Sequence, residues 1–300
     1  MRFYIVDAFT ENIFGGNPAG VALLEDGADF PEESIMLKTA GELRYSETAF
    51  IKILPENALR IRYFTPVSEV EFCGHATIGT FAALLKSGFV KNGATYTICT
   101  LSGDLNVEIS DGFIMMEMPE AKLIKDSFSQ AEIVALYQAL GIDWEPVSAA
   151  FDGKNSENLM PQLISAGFPD IFAPVKNRQA LAAINPDFKT LSQLSEKHGA
   201  GGIHAFTLDT PDSGITACTR NFAPLFGIDE EAATGTASGG LAYYLYNLGA
   251  PVDANGYCFL QGEAMERPSK IFVSAEPSPG SVKIKVGGKG AILAEGQLYL

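Results

Sequence analysis

Two stretches of this chain read as copies of one another. The first runs Phe64-Thr65-Pro66 and then Cys73-Gly74-His75-Ala76-Thr77-Ile78-Gly79-Thr80. The second runs Phe222-Ala223-Pro224 and then Thr234-Gly235-Thr236-Ala237-Ser238-Gly239-Gly240. Each opens on Phe-x-Pro, which ends a strand because proline removes a ladder donor. Each then crosses a short acidic loop to a glycine and a run of small and apolar residues. The runs stop at Gly88 and Gly249, the same distance from their opening glycines, where a helix end favours glycine. Two equivalent buried helices follow, one in each half of the chain. A helix start carries unpaired N–H groups and a partial positive charge, and glycine there lets an anion approach the backbone. The duplication therefore predicts two helix starts facing a shared cleft that holds one carboxylate substrate. The plainer alternative is a pair of core helices whose small faces let sheets wrap them closely.

Composition narrows the function. Hydrophobic residues make up 47% of the 300 and charged residues 19%, which suits two domains with substantial cores. A formal net charge of -15 argues against nucleic acid and anionic membranes as partners, though a cleft can still be locally positive. The cysteines are Cys73, Cys99, Cys218 and Cys258, with no CxxC pair, and the three histidines, His75, His198 and His204, lack metal-ligand spacing. No metal site and no cofactor is therefore expected. The GxGxxG, GxxxxGK[ST] and GxSxG patterns are missing. The opening Met1–Asp7 segment reads as a strand rather than a signal peptide, and no apolar run is long enough for a bilayer, so a cytoplasmic protein is expected.

Read in order, the first half is a meander of strands with one helix too apolar for the surface. Strands are predicted at 3–9, 19–24, 45–53, 59–64, 95–101, 105–110 and 113–119, with a helix from Pro31 to Leu43. A sheet curled around a central helix accounts for this pattern. The crossing into the second half falls at 120–129. Helices are then predicted at 130–141, 177–184 and 191–199, and strands at 158–166, 203–208, 215–222, 257–261, 270–275, 282–286 and 291–300. The expected fold is α+β, with two pseudo-symmetric lobes, each a curled, mostly antiparallel sheet around one helix. The predicted lobes are 1–121 with about 288–300, and 122–287.

Acid–base chemistry remains. Glu47 sits at the start of an apolar strand between Ser46 and Thr48, where a carboxylate is either a solvated edge residue or a catalyst. His75 at a helix start is a cap or an anion-site donor. Asn17, in the turn signal Asn17-Pro18, is either a turn residue or lines the site. The trio Asp229-Glu230-Glu231 precedes the second helix, where the dipole favours carboxylates. Cys73 is read as a small buried hydrophobe.

The strings Ser46-Glu47-Thr48-Ala49-Phe50, Cys73-Gly74-His75-Ala76-Thr77 and Glu231-Ala232-Ala233-Thr234-Gly235-Thr236-Ala237, in this order, resemble the PhzF phenazine-biosynthesis-like family. So do Val6-Asp7-Ala8-Phe9, Gly16-Asn17-Pro18, Gln261-Gly262 and Arg267-Pro268-Ser269. The resemblance spans the chain and implies a fold similar to diaminopimelate epimerase, with the site between two lobes. It implies an isomerase that moves a hydrogen between carbons of a small carboxylated metabolite, with no metal or organic cofactor, and a homodimer. By resemblance the acid–base carboxylate is Glu47, the site histidine His75 and the site carboxylate, often Asp, Glu231. The second-helix hydroxyl, often Ser, is Thr236. The backbone at Gly74, Gly235 and Thr236, with Asn17 beside it, would bind a small anionic or zwitterionic substrate. A two-thiol racemase on the same scaffold is the alternative enzyme, but Thr234 stands where the second cysteine would be. A catalytically silent small-molecule binder is the non-enzyme alternative.

Overall fold

A computed structural model describes residues 1–151, 157–252 and 256–300. Its contacts divide the chain into two units, Met1–Glu117 with Gly287–Leu300, and Met118–Val286.

The first unit contains β1 (Arg2–Ala8), β2 (Asn17–Leu23), α1 (Glu33–Leu43), β3 (Thr48–Leu54), β4 (Ala58–Phe64), β5 (Glu69–Val70), α2 (Gly74–Lys86), β6 (Thr95–Thr100), β7 (Gly103–Ser110) and β8 (Phe113–Glu117). The second contains β9 (Lys122–Lys125), α3 (Gln130–Ala139), β10 (Val147–Ala149), β11 (Glu157–Leu159), β12 (Gln162–Ser165), β13 (Pro169–Pro174), α4 (Arg178–Ala182), α5 (Phe188–His198), β14 (Gly202–Thr207), β15 (Ala217–Ala223), β16 (Ile228–Glu231), α6 (Gly235–Asn247), β17 (Tyr257–Gln261), β18 (Ser269–Ser278) and most of β19 (Ser281–Gly288). The chain then returns to the first unit as β20 (Gly290–Gln297), which pairs antiparallel with β1.

Pairing senses repeat between the units. In the first, β1–β2 is antiparallel, β2–β3 parallel, β3–β4 antiparallel, β4–β5 antiparallel, β4–β6 parallel and β6–β7 antiparallel. In the second, β12–β13, β13–β14, β14–β15, β15–β16, β15–β17 and β17–β18 follow the same sequence of senses. The first half is therefore not the simple meander read from its strands. Helical crossovers through α1 and α2 force parallel neighbours, because a parallel pair needs a connection long enough to return to its starting edge.

Each unit is organised by its central helix. Both α2 and α6 are 13 residues long, and 10 residues of α2 are buried. Strands from both ends of the first unit's sheet, β20 and β8, touch α2 together with β1, β2 and β3, so this sheet curls around the helix; β12, β13 and β18 touch α6. Small residues permit the close approach. A Cβ on Gly79 would lie 3.4 Å from Val6 Cβ, and one on Gly240 would lie 2.4 Å from Phe172 Cζ. The two helices also end alike. Phe89 N–H donates to Leu84 C=O at 3.0 Å and Gly88 N–H to Leu85 C=O at 3.2 Å. Ala250 donates to Leu245 at 3.0 Å and Gly249 to Tyr246 at 2.9 Å. These paired bonds form a Schellman end, which needs a left-handed residue, and Gly88 and Gly249 supply it at φ 76° and 77°.

Among the described residues, no helix is long and apolar enough to cross a membrane.

Candidate active site

In the first unit, three segments bring polar side chains to the start of α2. Asn17 is the first residue of β2 and is aimed by Gly16, whose φ of 61° and whose approach to Ala8 C=O exclude a side chain: a Cβ there would lie 2.2 Å from that oxygen. Glu47 lies in the link between α1 and β3, one residue before the strand rather than inside it. Its carbonyl accepts the Gly20 N–H at 3.3 Å, which fastens the link to β2. Cys73 is the N-cap of α2, in extended conformation, and makes no side-chain cap; His75 is the second helical residue.

These groups touch. Asn17 Nδ2 lies 3.3 Å from His75 Nδ1, and Ser46 Oγ lies 3.3 Å from His75 Nε2. Glu47 Oε2 is also 3.3 Å from His75 Nε2. With the Asn17 amide nitrogen donating to Nδ1, the imidazole carries its proton on Nε2, facing Ser46 and Glu47. Burial pushes His75 below the ordinary histidine range, and the Glu47 charge opposes this only in part. The ring is therefore neutral at neutral pH, and its approach to Glu47 is a dipolar contact rather than an ion pair. The Glu47 side chain is only 12% exposed, so it is not the solvated edge residue of the plainer reading. Its Oε2 is buried with no hydrogen-bond partner. A buried carboxylate oxygen left bare is costly, which singles it out as a group held ready for something else.

Cys73 is buried, as read from the sequence, and it also touches the site histidine. Its Sγ lies 3.4 Å from His75 Nδ1 and 3.9 Å from Nε2. Folding of the extended N-cap back onto the first turn produces this contact.

In the second unit, the start of α6 holds a different network. Gln261, buried at the end of β17, donates from Nε2 to the Glu231 carbonyl at 2.8 Å and to Thr234 Oγ1 at 3.0 Å, and its Oε1 accepts the Thr234 N–H at 3.2 Å. Thr234 Oγ1 donates to Glu231 Oε2 at 2.8 Å. Glu231 is thus pinned beside the helix start, with Gly235 buried in the first turn and Thr236 half-buried next to it. The acidic trio precedes α6 as part of a short strand, β16. There Glu230 forms a two-pronged pair with Arg220 at 2.8 Å through each nitrogen, and α6 has no side-chain cap. The Arg220 guanidinium takes up Glu230, and the Thr234 hydroxyl takes up Glu231.

Of the residues singled out in the sequence, Asn17, Glu47, Gly74 and His75 gather at the start of α2, and Glu231, Gly235 and Thr236 at the start of α6. Ser46, Cys73, Thr234 and Gln261 complete the two networks; all four lie in the strings that carry the family resemblance, but no site role was read for Ser46 or Gln261. The N-caps match as Cys73 and Thr234, so the second helix start offers a hydroxyl where a two-thiol racemase needs sulfur.

Residues 6–296 match the profile of the family described as phenazine biosynthesis-like protein, PhzC-PhzF. The chain is 33% identical over 287 residues to the uncharacterized isomerase YfhB of Bacillus subtilis, covering 94% of this chain and 93% of that one. It is 30% identical to the trans-2,3-dihydro-3-hydroxyanthranilate isomerase of Pseudomonas fluorescens, covering 100% and 99%. The PhzF-family protein of Bacillus anthracis superposes with a TM-score of 0.85 at 26% identity, covering 100% and 99%. A hydroxyproline epimerase from Agrobacterium vitis shares the fold at a TM-score of 0.61 and 13% identity, covering 99% and 90%. A match over almost the whole chain, relatives named as isomerases and a duplicated epimerase-like fold agree: this chain belongs to the PhzC-PhzF phenazine biosynthesis-like family of isomerases.

Proposed function

We propose that the protein moves a hydrogen between two carbons of a small carboxylated metabolite, with Glu47 as the group that takes the proton and returns it. The observation that carries this reading is the buried, unpartnered Oε2 of Glu47 beside a neutral imidazole. A substrate C–H can occupy the open side of this oxygen, within reach of the carboxylate that accepts its proton. His75, donating through Nε2 and held by Asn17 and Ser46, orients or stabilises the substrate as negative charge develops. The uncapped N–H groups from Gly74 onward suit a carboxylate. Glu231, Gly235 and Thr236 are assigned to substrate recognition. No second acid–base thiol is required, because one carboxyl group can serve donor and acceptor carbons on the same face in turn.

The test uses trans-2,3-dihydro-3-hydroxyanthranilate, the substrate named for the Pseudomonas fluorescens relative, together with related cyclic amino and hydroxy acids. Glu47→Gln keeps the side chain's shape and removes the base, so turnover of whichever compound is accepted should vanish while the circular dichroism spectrum is unchanged. Substantial turnover by a folded Glu47→Gln protein would refute the assignment.

A further inference from the structure

Among the described residues, one grouping places three metal-ligating side chains together: Glu47, Cys73 and His75, with one donor atom from each lying within 4.8 Å of the others. They come from three places, the link before β3, the N-cap of α2 and the first turn of α2, so no sequence spacing announces them. We propose that these three side chains form a binding site for a thiophilic divalent cation, zinc foremost, whose occupancy shuts off proton transfer by Glu47. The inhibitory part rests on the catalytic role given to Glu47 above; the binding part does not.

Two of the three donor–donor edges are close to those of a zinc site, and the third lies within 4.8 Å. Bond lengths of about 2.0–2.3 Å in a tetrahedron place neighbouring donors about 3.4–3.6 Å apart. Here His75 Nε2 and Glu47 Oε2 are 3.3 Å apart, and Cys73 Sγ and Nε2 are 3.9 Å apart. Small side-chain rotations would close the set, and a fourth position would remain for water, as in an open rather than a structural site. Sulfur, imidazole nitrogen and one carboxylate oxygen suit zinc and cobalt(II) over calcium or magnesium, which favour oxygen alone. The charges also match, since a thiolate and a carboxylate together neutralise a dication, which matters at a buried site. Glu47 Oε2 has no hydrogen bond to surrender.

On binding, the Cys73 thiol loses its proton to solvent as the sulfur–metal bond forms. Glu47 and His75 bind through lone pairs, and no electron is transferred. With the metal on Nε2 the ring proton moves to Nδ1, and Asn17 turns its amide oxygen toward it. That is the outer-shell partner metal-bound histidines favour. Glu47, fixed on the cation, is no longer available to a carbon acid.

The experiment titrates the full-length protein with cobalt(II) and zinc. One cobalt ion should bind per chain and produce thiolate-to-cobalt charge-transfer absorption, which stoichiometric zinc abolishes. Cys73→Ser should lose that band and weaken zinc binding about 100-fold or more, since even outer-shell changes cost 10–100-fold. Cys73→Ala should behave alike, which guards against a folding artefact in either variant. Zinc should inhibit turnover at the same concentration at which it displaces cobalt. Absence of a charge-transfer band in the wild-type protein, or a band that survives in both Cys73 variants, overturns the site. Tight Cys73-dependent zinc binding without loss of turnover leaves the site standing and overturns instead the catalytic assignment of Glu47.

Discussion

Replacing Asp170 by asparagine should stabilise the protein more at pH 8 than at pH 5. Asp170 lies on β13 of the second unit, opposite Gly202 on β14, and is 3% exposed. Burial pushes its carboxyl up to about 7, and a hydrogen bond with the Gly202 backbone only partly opposes this. Two positions along the same strand pair, His204 stands opposite Phe172, and burial pulls its imidazole down to about 3. Both groups are therefore uncharged in the folded protein at pH 5. The signs differ. The contribution of Asp170 is full below its unfolded value of 3.8 and is lost as pH rises through about 7. The contribution of His204 is full above its unfolded value of 6.5 and is lost as pH falls toward 3. Between about pH 4 and 6.5 the two slopes, each about 1.4 kcal/mol per pH unit, oppose one another and leave the wild type nearly flat. Asparagine removes the Asp170 slope and keeps a carbonyl for the Gly202 N–H. Its advantage should grow with pH across the interval from 3.8 to about 7, reaching at most about 4 kcal/mol. Urea unfolding of both proteins at pH 5 and pH 8 reads this as a difference of differences, which cancels any pH-independent cost of the amide. An unchanged difference between the two pH values would refute the burial reasoning, as would an asparagine variant that loses ground at pH 8.

Three further outcomes follow from named contacts. Ser46→Ala removes a partner of His75 Nε2; a lost hydrogen bond of about 0.5–1.5 kcal/mol should lower kcat/KM up to about tenfold, measured on the accepted substrate. Gly240→Ala forces a methyl to within 2.4 Å of Phe172 and should cost about 1–3 kcal/mol, whereas Gly79→Ala, at the equivalent position but with 3.4 Å to Val6, should cost less; thermal denaturation of the pair compares them. Arg220→Ala strands Glu230 and two backbone carbonyls, of Leu181 and Ile184, in a nearly buried setting and should destabilise by about 3–5 kcal/mol, read from urea midpoints.

The residues that announce themselves in the sequence act locally. Gly88 and Gly249 end helices by their own backbone freedom, and the small residues of α2 and α6 mark close packing wherever they occur. The duplicated helices were therefore legible with their ends. The first-unit cluster was half legible: Glu47 stood out as a charge at the edge of an apolar strand and His75 as a polar residue at a helix start. The meeting of Asn17, Ser46 and Glu47 with His75 depends on how β2 and the link before β3 pack against α2, which no local pattern encodes. The largest omission, β13, is bounded by Pro169 and Pro174 and buried along most of its length. Its order comes from its parallel partner β14 and antiparallel partner β12, not from alternation. The strand β16, Ile-Asp-Glu-Glu, has poor strand propensity and exists because β15 offers it an edge. The same dependence hid the pairing of Glu230 with Arg220.

Isotope tracing of the hydrogen itself tests most directly whether one carboxyl relays it. With substrate deuterated at the donor carbon, the product should carry part of that label at the acceptor carbon, diluted by exchange with water while it rides on Glu47, and Glu47→Gln should transfer none. A product whose new hydrogen comes wholly from solvent, or a Glu47→Gln protein that still delivers the label, would contradict the account.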